Sequence, residues 1–84
     1  MNERIRQLAK QAGLRFTQLM SNPMVPVVDG KETDLEKFAE LIVGECMRMC
    51  DVAAIGYESH GHMKEANGCY SAKEYIEEHF GVEE

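Results

Sequence analysis

The sequence predicts a small all-α domain of three helices, and three observations predict it. Leu35, Phe38, Ile42, Cys46 and Met49 recur at three- and four-residue spacing, the period of a helix with one apolar face. A second line of Ala39, Val43, Cys50 and Ala53 widens that face, so the helix needs cover over much of its circumference. Thr33 with Glu36, and Ser71 with Glu74, have the spacing of capping boxes, in which two side chains satisfy two backbone N–H groups at a helix start.

The first helix is expected over residues 2–20, where Ile5, Leu8, Ala9, Ala12, Phe16, Leu19 and Met20 keep helical spacing. Gly13 interrupts it at about 1 kcal/mol relative to alanine, so a break or kink is expected there. Pro23 ends it, because proline drives the preceding residue out of helical geometry. Residues 22–32 are an irregular connection. Val25-Pro26-Val27-Val28 is extended in character and Asp29-Gly30 is a turn signal, which allows a short strand or hairpin. Pro26 restricts such a strand to a sheet edge; the preferred reading is a loop lying across the helices.

The second helix is placed at Asp34 to Ala54, with Gly56 as its stop. Residues 57–70 carry glycines at 61 and 68 and little periodicity, and read as an irregular loop. Ala72, Tyr75, Ile76, His79 and Phe80 define a short third helix over 72–80, capped by Gly81. Residues 1–84 are read as a single helical domain. Chains this short often rely on a metal, a disulfide or a partner subunit. The wide apolar face of the second helix therefore predicts a homodimer.

Composition narrows the function. A net charge of −6 disfavours nucleic acid, whose binding depends on Lys and Arg neutralising phosphates. No apolar run approaches the roughly 20 residues of a membrane span, and no apolar stretch follows the charged opening as in a signal peptide. Three cysteines, an odd number, suit a reducing compartment. A cytoplasmic protein follows as the expectation.

Cys46, Cys50, His60, His62 and Cys69 are the residues that could bind a metal, since zinc takes four cysteine and histidine ligands. Their spacing matches no standard zinc module, and core cysteines with solvated histidines are the simpler reading, so no cofactor is expected. Arg4, Arg6, Lys10 and Arg15 lie on the first segment and could hold phosphates of a sequestered nucleotide or other small molecule. Neither an activated nucleophile nor a phosphate-cradling glycine loop is evident, so the chain is read as non-enzymatic. Among the methionines, Met20, Met24 and Met49 are assigned to the core, and Met47 and Met63 to the surface. Exposed methionine beside Tyr57 and Tyr70 would mark an interface. The expected partner-binding residues are Tyr57, Glu58, His60, His62, Met63 and Tyr70.

Three blocks resemble small uncharacterised proteins of tailed bacteriophages: the opening Met1-Asn2-Glu3-Arg4-Ile5-Arg6-Gln7-Leu8-Ala9-Lys10-Gln11-Ala12-Gly13, then Lys37-Phe38-Ala39-Glu40-Leu41-Ile42-Val43-Gly44-Glu45-Cys46, then Ile76-Glu77-Glu78-His79-Phe80-Gly81-Val82. The blocks occur in that order and cover a third to a half of the chain. The resemblance implies a phage origin but supplies no catalytic residues. It implies an accessory protein that binds and modulates a host protein, for host takeover or anti-defence.

Overall fold

The computed structural model describes residues 2–19 and 25–82. Three helices and a two-stranded antiparallel sheet follow in the order α1 (Glu3–Ala12), β1 (Arg15–Leu19), β2 (Val25–Asp29), α2 (Glu32–Ser59) and α3 (Met63–Phe80). The small, mostly α fold is as the sequence predicts. The chain divides into two compact units, residues 1–42 and 43–84, with the boundary inside α2.

In the first unit, the Asn2 side chain accepts the Arg4 and Ile5 N–H groups at 2.8 and 3.2 Å and starts α1. The helix does not run to residue 20. It stops at Ala12, where Gly13 takes φ +105° and the Gly13 and Leu14 N–H groups donate to the Lys10 and Ala9 carbonyls. This pair of bonds is a Schellman motif, and it turns the chain into β1. Phe16 and Leu19 therefore belong to a strand, paired with Val28 and Val25, rather than to the helical face assigned to them. The preferred loop at 22–32 is likewise replaced over Val25–Asp29 by a strand, the alternative that Pro26 allows at an edge. Met20, Met24 and Pro23 fall outside the described residues.

Leu8, Ala9, Ala12 and Leu14 are buried in this unit. The Arg6 guanidinium lies 4.7 Å from the centre of the Phe16 ring, and Arg15 pairs with Asp29 across the strands at 2.9 Å. Gly30 passes so close to Leu14 that a Cβ there would sit 2.6 Å from its Cδ2. The Thr33–Glu36 capping box is displaced. α2 begins at Glu32, the Lys31 carbonyl accepts from Asp34 and Leu35, and Asp34 rather than Glu36 reaches back to the Lys31 N–H at 3.0 Å.

The second unit is a helical hairpin. α2 passes through Gly56, the expected stop, and ends at Ser59; α3 begins at Met63, so the expected 57–70 loop shrinks to His60-Gly61-His62. Ser71 and Glu74 lie within α3, not at its start. The Lys73 ammonium holds both Asp51 oxygens at 2.9 and 3.2 Å, which ties α3 to α2 in the antiparallel direction. Asn67 and Gly68, weak helix formers, sit inside a regular helix.

Met47, Ala54 and Ala66 are fully buried, with Val43, Cys50 and Asp51 half-buried. The line regarded as secondary in the sequence thus faces inward through Val43 and Cys50. Met47 and Met49 exchange the places assigned to them: Met47 is in the core and Met49 is 61 % exposed.

Candidate partner-binding site

The site forms where α2 turns into α3. Gly61 takes φ +76°, which lets its N–H donate to the Glu58 carbonyl at 3.0 Å and the His62 N–H to the Tyr57 carbonyl at 2.9 Å. This second Schellman motif closes α2 and starts α3 two residues later. His60 Nδ1 donates to the Gly56 carbonyl at 2.9 Å and Ser59 Oγ to the Ile55 carbonyl at 2.8 Å, so two side chains satisfy the last turn of α2. With Nδ1 donating, His60 presents Nε2 outward.

The Tyr57 and His62 rings meet edge to face at 6.4 Å. Glu58 accepts the Tyr70 hydroxyl; that bond, then burial and the carboxylate charge, push the phenol above its ordinary 10.0. Tyr57, Glu58, His60, His62, Met63 and Tyr70 all reach solvent at this one end of the hairpin. All six residues expected to bind a partner are therefore brought together, on helix ends and a three-residue turn rather than on a loop.

The other candidates are not assembled in this way. Cys46 is exposed while Cys50 and Cys69 are half-buried, and among the described residues no three His, Cys, Asp or Glu side chains are grouped so as to hold a metal ion. Of the basic residues, Arg4 reaches Gln7 at 3.2 Å, Arg6 covers Phe16, and Arg15 is paired with Asp29. Lys10 stands in the last turn of α1, where a cation complements the helix dipole.

Two exposed aromatic residues escaped the sequence reading. Tyr75 and Phe80, assigned to a packed face, are 73 % and 60 % exposed and line a shallow hollow with Ile76 and His79. The flanking Glu74, Glu77 and Glu78 were the available signal, since a face that close to three carboxylates packs poorly.

No known protein family, curated protein or solved structure matches this chain. Among the described residues, no helix is long and apolar enough to cross a membrane.

Proposed function

We propose that this protein is a non-enzymatic binding protein of the bacterial cytosol that docks on another protein through the hairpin end. The observation that carries the reading is the convergence of Tyr57, Met63 and Tyr70, each at least 36 % exposed, with Glu58, His60 and His62. Tyrosine and methionine offer large contact areas with polar or adaptable ends, the composition that marks interface centres. Glu58 and the Schellman turn hold Tyr70 and the backbone in place before binding, which lowers the ordering cost of association. The resemblance to phage proteins supplies the class of partner, a host protein whose activity is modulated.

The test is affinity capture from bacterial lysate with three forms of the full chain. A host protein held by the wild type and by Tyr75→Ala, but lost with Tyr57→Ala/Tyr70→Ala, supports the reading. A partner equally retained by the double variant overturns the site.

A further inference from the structure

The side of α2 turned away from Met47 and Ala54 carries an apolar patch built from residues other than the six of the hairpin end. Met49, Val52 and Ile55 are 61 %, 59 % and 56 % exposed there, and Ala53 and Gly56 beside them are exposed as well. At 3.6 residues per turn, Val52 and Gly56 fall opposite the buried line. Single exposed apolar residues need no explanation, but a contiguous group of this kind does.

Charge identifies what covers it. Residues 43–84 contain three Lys or Arg and nine Asp or Glu, so this unit carries the whole net charge of −6. Yet the charged groups bordering Met49 and Val52 are Glu45 and Arg48, one of each sign, ion-paired at 3.3 Å, while Asp51 and Glu58, next to Ile55, are turned toward Lys73 and Tyr70 of α3. A partner selected for the acidity of the unit finds no matching charge here. An identical neutral face does not repel it.

We propose that this patch pairs α2 with α2 of a second copy, antiparallel across a two-fold axis between Val52 and Ala53. An isologous interface must be complementary to itself, and in this direction the patch is. Met49 meets the gap at Gly56, and Val52 meets Ala53, large against small. Arg48 lies along the partner's last α2 turn, which has no basic residue of its own and presents the negative end of the helix dipole. Glu45 comes opposite the outward Nε2 of His60 in the partner. In the parallel direction Arg48 would face Arg48 and Glu45 would face Glu45, so like charges exclude it.

Sedimentation equilibrium of the full chain at micromolar to submillimolar concentration tests this. The wild type is expected at twice 9.5 kDa, and Val52→Glu at 9.5 kDa with unchanged far-UV circular dichroism. Arg48→Glu is expected to weaken the dimer at least tenfold. In a Cys46→Ser background, which removes the exposed native thiol, Ala53→Cys is expected to oxidise to a covalent dimer, and Ala72→Cys on α3 is not. A wild-type monomer throughout, a dimer that survives Val52→Glu, or no cross-link at position 53 overturns the proposal. If Val52→Glu loses helicity, the cross-link decides. None of these readouts depends on whether the hairpin end binds a host protein.

Discussion

At the scale of the residue, two glycines and one tyrosine carry specific consequences. Gly13 and Gly61 both occupy the left-handed region, where a side chain costs about 1–2 kcal/mol. They differ in surroundings: a Cβ at Gly13 would lie 3.1 Å from Asp34 Oδ1, whereas Gly61 has open space. Gly13→Ala is therefore expected to destabilise more than Gly61→Ala, with the latter near about 1 kcal/mol, as read by urea denaturation. Tyr70 is held protonated by its bond to Glu58, so its folded pKa lies above the unfolded 10.0. The stabilisation it contributes is complete below pH 10.0 and is lost as pH rises through the folded value. Glu58→Ala should bring the Tyr70 transition back toward 10.0, which ultraviolet absorbance of tyrosinate would follow.

At the scale of the element, the existence of three helices was legible, but their phase and ends were not. The wide apolar face on α2 is real, yet two apolar lines on one helix leave open which faces inward. Hydrophobicity ranks Met49 with Met47. The structure separates them, with Met47 fully buried and Met49 61 % exposed. Met47→Ala should cost about 2–5 kcal/mol, while Met49→Ala should change the stability of the single chain by about 0.5 kcal/mol or less; thermal melts of dilute protein would show the difference. The helix ends were missed for a related reason. Gly56 and Gly68 are tolerated inside helices because packing outweighs propensity, whereas Gly13 and Gly61 stop helices by accepting positive φ. Composition alone does not distinguish the two uses. The exposure of Tyr57, Glu58, His60, His62, Met63 and Tyr70 was legible, because tyrosine, histidine and methionine around a glycine signal an exposed turn whether or not helix flanks it.

At the scale of the whole molecule, charge is partitioned as cleanly as structure. Residues 1–42 contain six basic and six acidic side chains, and all the net charge belongs to residues 43–84. α2 runs without interruption through the division, so a single helix carries its neutral beginning and its acidic continuation. The resulting field acts before any contact is made. The net pull of a positively charged surface therefore falls on residues 43–84, while residues 1–42 add no net charge to it. Ionic strength then governs how often such encounters occur, through screening of that charge.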